Sequence, residues 1–190
     1  MTAKAPYSAD RLIILDRDGV INHDSDAYVK SLAEFIPYPG AIAAIARLSQ
    51  AGYAVAIATN QSGIARGYFN ADTLTQMHAR LTALVEGAGG TLSAIAHCPH
   101  GPEDGCDCRK PLPGLLYQIQ STLSLPTLEG SWMLGDSLRD LQAGEAAGCC
   151  PALVRTGKGK DTEAKRQYAD DTPVFDDLAA FADWLLSTNE

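Results

Sequence analysis

Apolar residues along this chain fall into two alternating patterns. Short unbroken runs occur at Leu12-Ile13-Ile14-Leu15, at 54–58 (AVAIA), 92–97 (LSAIAH), 131–135 (SWMLG) and 151–155 (PALVR). They are too short for helices and rich in branched side chains, so they predict strands buried on both faces. Between them apolar residues return at helical spacing. Helices are predicted over 40–51, ended by Gly52; over 71–86, capped by Asn70 or Asp72; from Pro113, in its first turn, to about 123; and over 138–147, ended by Gly148. Beyond the fifth run come a short helical stretch, a candidate strand near Val174-Phe175 and a helix from Asp177 to about Ser187.

Strand–helix alternation of this kind predicts an α/β domain, a doubly wound, Rossmann-like parallel sheet with helices on both faces and right-handed crossovers. The 190 residues fit one such domain, spanning 1–190, with no repeat, low-complexity segment or linker. In these sheets ligands bind at the carboxyl ends of the strands. Asp16, Thr59, His97-Cys98 and Asp136 mark those ends here.

Composition adds boundaries. With 46% hydrophobic and 20% charged residues the chain reads as an ordinary globular protein. No run approaches the ~18 apolar residues of a membrane span, and MTAKAPYSADR has no apolar leader core. A cytoplasmic protein with no membrane partner is expected, and nothing in the pattern marks an oligomer interface, so a monomer is expected. A net charge of −8 argues against nucleic acid as the main partner. A small phosphorylated ligand stays compatible with it, because a few local donors or one bound cation reverse the local field.

The five cysteines are an odd number and clustered, which suggests reduced thiols and metal ligands rather than a disulfide framework. Cys149-Cys150 reads as a pair of small buried residues leading into a strand. Cys98, His100, Cys106 and Cys108 form Cys-x-His, a five-residue gap (GPEDG) and Cys-x-Cys. Three thiolates and an imidazole in one short polar loop, 98–108, suit tetrahedral Zn²⁺. Four protein ligands close such a site, so a structural zinc is expected. It would stiffen the segment that presents Arg109 and Lys110.

Asp16-Arg17-Asp18-Gly19 places two carboxylates at a strand end, which alone is as well explained by a solvated turn. Three further signals give it weight: Thr59-Asn60 after the second strand, Arg109-Lys110-Pro111 after the cysteines, and Gly135-Asp136 with Asp140 after the fourth strand. The order D-x-D-G-x-I, T-N, R-K-P, G-D-x-x-x-D resembles the haloacid dehalogenase (HAD) superfamily of phosphatases across residues 10–160. LDRDGVIN, TNQSGIARG, CPH…CDCRKP and GDSLRD are similar to its histidinol-phosphatase-like subgroup with a zinc loop.

The resemblance implies a phosphoric monoester hydrolase. Asp16 is then the nucleophile that takes the phosphoryl group, and Asp18 the general acid and base. Thr59 and Lys110 hold the phosphoryl, and Mg²⁺ sits on Asp16, the Asp18 carbonyl and Asp136. Asp140 is expected to hold Lys110 or the metal shell, with a solvent-facing helix carboxylate as the alternative. Arg17, Asp24, Tyr28, Asn60, Gln61, Ser62, Arg66 and Arg109 are expected at the substrate, Asp26 and Arg66 being equally well read as solvated loop residues. Ser137 stands where relatives often carry lysine. The 40 residues between Asp18 and Thr59, and the 50 between Thr59 and Lys110, are filled by predicted elements, so no cap domain is expected.

Two substrates compete within the subgroup. SGIARG favours a sugar bisphosphate and the short zinc gap favours histidinol phosphate; a sugar bisphosphate is expected. Two readings of another class are a phospho-acceptor signalling module, whose acceptor acid would end the third strand, and a zinc-stabilised binding protein without turnover. His23, His78 and His97 are read as ordinary surface or packing residues.

Overall fold

The computed structural model describes residues 6–188; residues 1–5, part of the stretch read for a leader, lie outside the described residues, as do 189–190. The strands are β1 (Leu12–Leu15), β2 (Ala54–Asn60), β3 (Ala94–Cys98), β4 (Trp132–Gly135), β5 (Cys150–Val154) and β6 (Val174–Phe175). The helices are α1 (Ala41–Gln50), α2 (Ala71–Gly87), α3 (Gly114–Thr122), α4 (Leu138–Ala146), α5 (Gly159–Lys165) and α6 (Leu178–Thr188).

All strand pairings are parallel, in the order β3-β2-β1-β4-β5-β6. Alternation within each strand explains the unbroken apolar runs. Ile13, Leu15, Val55 and Ile57 enter one core with side chains of α1, α2 and α6. Leu12, Ile14 and the alanines 54, 56 and 58 enter the other, against α3 and α4. With both faces covered, every strand residue of β1 is buried.

From β1 the chain winds to β2 and β3 on one side, then returns to β4 and continues to β5 and β6 on the other. The strand order therefore reverses between β1 and β4, and a crevice opens at their carboxyl ends. The segment from β1 to β2 holds a single-turn 3-10 helix (Leu32–Glu34) and α1, and that from β2 to Lys110 holds α2, β3 and the cysteine loop. Neither carries a cap domain.

The differences from expectation are local. β2 runs on through Thr59 and Asn60, which pair with His97 and Cys98 of β3. Asn70, not Asp72, caps α2, its side chain accepting from the Thr73 N–H at 2.9 Å. Pro113 is the N-cap of α3 rather than its first-turn residue. Cys149 is buried, but Cys150 begins β5 on the opposite side of the extended chain and is exposed, so only half of that pair is a packing residue.

Candidate active site

Four chain segments meet at the switch between β1 and β4. The ladder carries on past β1, the Asp16 N–H donating to the Leu134 carbonyl at 2.9 Å, and so delivers Asp16 to the edge of the sheet. β4 delivers Asp136 beside it, and Ser137 then caps α4. Its hydroxyl and N–H both donate to Asp140 Oδ2, at 2.9 and 3.1 Å, so the first-turn carboxylate reaches back to the N-cap. Gly19 (φ +88°) and Gly157 (φ +57°) flank the Asp136 carboxylate so closely that a Cβ at either would collide with it.

Lys110 is 2% exposed, and its ammonium uses all three protons. It donates to Asp140 Oδ1 at 2.7 Å, to the Ala58 carbonyl at 2.7 Å and to Asp16 Oδ1 at 2.9 Å. Burial alone would lower its pKa; the Asp140 and Asp16 charges override that and raise it. Asn60 grips the lysine backbone, its Oδ1 accepting from the Lys110 N–H at 3.0 Å and its Nδ2 donating to the Lys110 carbonyl at 3.1 Å. Asp140 is itself buried with both oxygens occupied, so it is the holder of Lys110 and not a solvent-facing carboxylate.

Oxygens of Asp16, Asp136 and Asp140 lie within 4.8 Å of one another, with one ammonium among them. Burial, and then the Asp140 charge, push Asp16 up to about 7 and Asp136 up to about 8. Asp16 Oδ1 accepts from Lys110 and the Arg17 N–H, and Asp136 Oδ2 from the Lys158 N–H at 2.9 Å. One oxygen of each remains without a donor among the described residues. Excess buried negative charge and unused hard oxygens beside a cleft fit Mg²⁺.

Asp18 is held differently. Its Oδ1 accepts from Arg17 Nη2 at 2.8 Å, Arg17 Nε at 3.0 Å and Asn22 Nδ2 at 2.8 Å, and its Oδ2 from Gln61 Nε2 at 2.9 Å. Arg17 is wholly buried, its guanidinium over the Phe35 ring and its Nη1 3.3 Å from His78 Nε2. The expectation of a substrate contact from its side chain therefore fails: the guanidinium turns inward because Asp18 is its carboxylate partner. His78, read as an ordinary helix residue, abuts this pair, and burial together with the Arg17 charge brings it down to about 3. Thr59 is likewise buried, and its hydroxyl accepts from Gln61 Nε2 at 2.8 Å.

A cleft of about 380 Å³ opens over Asp16 and Asp18. Asp24, Tyr28, Asn60, Gln61, Ser62, Arg66 and Arg109 of the expected substrate set line it, with Asp26. Arg66 lies over the Tyr28 ring at 5.9 Å, and Tyr28 packs on Tyr68 at 5.1 Å. Asp24 is raised, by burial first, and its carboxylate is 3.7 Å from Lys158 Nζ. Asn60 lines the cleft, yet both ends of its amide are engaged by Lys110.

The sequence reading missed the loop after β5. Thr156 Oγ1 donates to the Gly19 carbonyl at 2.6 Å and the Lys158 N–H to Asp136 Oδ2 at 2.9 Å, so the loop ties the two aspartate segments together, and Thr162 Oγ1 of α5 adds a bond to the Asp136 carbonyl at 2.8 Å. Its signal was Thr156-Gly157-Lys158-Gly159, a glycine-rich turn directly after a strand. Asn22 was also missed; it lies within the quoted LDRDGVIN motif.

The second cluster lies beyond β3. Cys98 Sγ is 3.1 Å from Cys108 Sγ and 3.7 Å from Cys106 Sγ, and His100 Nδ1 is 3.4 Å from Cys98 and Cys108. The edge of a tetrahedron with Zn–S bonds of ~2.3 Å is about 3.8 Å, so the donor set fits zinc. Burial and then the neighbouring thiols push Cys108 up to about 12, and burial raises Cys98. For Cys106 burial acts upward, but the Arg109 N–H and the other thiols bring it to about 7. Arg109 Nη1 donates to the His100 carbonyl at 3.3 Å, linking this cluster to the cleft. Because β3 ends in His97-Cys98, it offers no acid to accept a phosphoryl group as a signalling module would.

The HAD-hydrolase-like family model matches residues 107–181. A D-glycero-beta-D-manno-heptose-1,7-bisphosphate 7-phosphatase of Pseudomonas putida is 56% identical over 176 residues, 93% of this chain and 99% of that protein. One of the same description from Pseudomonas aeruginosa is 58% identical over 175 residues, 92% of this chain and 97% of that one. Among solved structures, a D,D-heptose 1,7-bisphosphate phosphatase from B. bronchiseptica, complexed with magnesium and phosphate, superposes with a TM-score of 0.90 at 52% identity. The match covers 94% of this chain and 99% of that one.

Proposed function

Because the chain belongs to the D-glycero-beta-D-manno-heptose-1,7-bisphosphate 7-phosphatase family of HAD-like hydrolases, we propose that it removes the C7 phosphate of that sugar bisphosphate. The product, heptose 1-phosphate, serves lipopolysaccharide-core precursor synthesis. The observation that carries this reading is the pairing of Asp16, at the end of β1, with Lys110 at 2.9 Å, beside a second carboxylate, Asp18, whose orientation is fixed by four donors.

Asp16 attacks phosphorus, forming an aspartyl-phosphate as the bond to the sugar oxygen breaks. Asp18 gives that oxygen a proton, and in the second half-reaction takes one from the attacking water. Lys110 holds a fixed positive charge against the transferring group without needing to move, because its own partners lock it. Thr59 acts through Gln61, which it orients toward Asp18. Asp16, Asp136 and the Asp18 carbonyl would hold Mg²⁺, which supplies charge neutralisation on the phosphoryl oxygens when bound. Asp140 is left out of that set, since both its oxygens are engaged.

Cys98, His100, Cys106 and Cys108 hold a structural Zn²⁺ in this reading, with no position left for water or substrate. Tyr28, Arg66, Arg109 and Asp24 line the route by which the sugar and its other phosphate enter. Cysteines kept as zinc ligands and not paired in disulfides suit a reducing compartment, which supports a cytoplasmic enzyme. A steady-state comparison of heptose 1,7-bisphosphate with histidinol phosphate tests the substrate. A kcat/KM favouring the heptose is expected; one favouring histidinol phosphate would overturn the substrate and leave the chemistry standing.

A further inference from the structure

Arg17 presents an unusual arrangement. It is one of the largest wholly buried side chains, and among the described residues its only carboxylate partner is Asp18. Nε and Nη2 both donate to the same oxygen, Oδ1, instead of taking one oxygen each. Asn22 Nδ2 donates to that oxygen as well, so Oδ1 carries three donors and Oδ2 only the Gln61 amide. A carboxylate oxygen has about two lone-pair directions. Oδ1 is therefore saturated, and a proton on this group has only Oδ2 to occupy.

Burying an arginine beside a single carboxylate is costly, and an apolar side chain of similar volume stabilises a fold at least as well. Much of the surroundings is apolar: Phe35 lies under the guanidinium and Met77 Sδ is 3.7 Å from Nη1, with His78 Nε2 at 3.3 Å on the polar side. What an apolar residue would not supply is a fixed direction for the Asp18 carboxylate. That direction matters for proton transfer.

We propose that Arg17 is a positioning residue, whose buried guanidinium saturates Asp18 Oδ1 and so makes Oδ2 the oxygen that passes the proton. The inference rests on the phosphatase reading above. In the first half-reaction the bond from phosphorus to the sugar oxygen breaks, a bond from phosphorus to an Asp16 oxygen forms, and the departing sugar oxygen takes the proton from Oδ2. In the second, water attacks phosphorus, the bond to Asp16 breaks, and the water proton returns to Oδ2. Arg17 exchanges no proton in either step.

The leaving group separates this role from a merely structural one. A sugar alkoxide needs the proton to leave; p-nitrophenolate does not. Since kcat/KM covers the steps through departure of the leaving group and not the later hydrolysis, the test is kcat/KM for heptose 1,7-bisphosphate and for p-nitrophenyl phosphate. Arg17→Met should lower the first about 100-fold and the second by less than about tenfold. Arg17→Lys should show most of the same split, because one ammonium cannot reproduce two converging N–H bonds. An equal loss on both substrates, or full wild-type activity of Arg17→Lys on the sugar phosphate, would overturn the proposal. If Arg17→Met does not fold, Arg17→Lys decides by the same outcomes; if neither folds, Asn22→Ala decides, with a smaller split expected and an equal loss overturning. Failure of the phosphatase reading would look different, as wild-type enzyme that turns over neither substrate.

Discussion

At the carboxyl ends of β1 and β4 three carboxylates crowd around one ammonium; just beyond β3 three thiols and an imidazole crowd around one another. Both clusters fit a cation, and Arg109-Lys110 joins them along the chain. They differ in what is left over. Asp16 and Asp136 each keep an oxygen without a donor and open onto a cleft, whereas every donor atom of the cysteine cluster faces its fellows. Hard, unsaturated and open describes a reaction centre; soft, saturated and closed describes a staple. Proximity to a metal does not distinguish them, but spare ligand capacity does.

The largest effect should come from Asp16→Asn. If the carboxylate cluster is the reaction centre, kcat falls by about 10⁴-fold or more while zinc content stays at one per chain, measured by steady-state kinetics and metal analysis. Lys110→Met should come next. It leaves Asp16 and Asp140 buried without their counter-ion, so activity falls by about 10²–10³-fold and stability by roughly 3–5 kcal/mol in urea denaturation. Added Mg²⁺ should restore part of the stability and little of the rate.

Both targets were legible in the sequence, and for a physical reason. Buried parallel strands are written as continuous apolar runs, and the first polar residue after the β1 and β4 runs sits at the sheet edge, so Asp16 and Asp136 could be placed side by side, whereas β2 runs on past Thr59. Helix boundaries at Gly52 and Gly148 were visible for the same kind of local reason. The direction of a side chain after the strand ends was not visible. Arg17 is charged and lies between two site aspartates, yet it turns into the core; Asn60 faces the cleft but serves the lysine backbone. Arg17 pairs with the adjacent Asp18, but the pocket that receives it is built by Phe35, Met77 and His78, and Asn60 is held by Lys110; these partners lie distant in sequence, which no local pattern encodes. The Thr156–Gly159 loop escaped because its hydrogen bonds reach back to Gly19 and Asp136.

Asn60 also sharpens what the thiol cluster contributes. Lys110 is held by the cysteine loop from one side and by Asn60 from the other. Cys106→Ser should therefore lose zinc and lower kcat about tenfold rather than abolish it, and Asn60→Ala should do the same. The double variant should lose more than the product of the two, because each anchor alone still limits the displacement. Unchanged turnover in zinc-free Cys106→Ser would reduce the loop to a staple of the fold alone.

The remaining effect concerns pH. Asp16 and Asp136 lie at about 7 and about 8 against a usual 3.8, so metal-free protein carries a stabilising contribution below the usual carboxylate value and loses it as pH climbs through those values. Mg²⁺ binds the ionised pair and relieves that repulsion. Its stabilisation should therefore grow from pH ~6 to ~8, reaching about 2.7 kcal/mol when Mg²⁺ is at 100 times its Kd. Thermal melts with and without Mg²⁺ read this directly, and a stabilisation that shrinks as pH rises would place the cation elsewhere.

The contrast between the clusters is tested most directly by locating the phosphoryl group during turnover. Rapid acid quench with labelled heptose 1,7-bisphosphate, followed by peptide mapping, should find it on Asp16, and Asp16→Asn should abolish the label. Label on His100 or a loop cysteine, or undiminished turnover by Asp16→Asn, would put the chemistry in the wrong cluster and contradict the assignment.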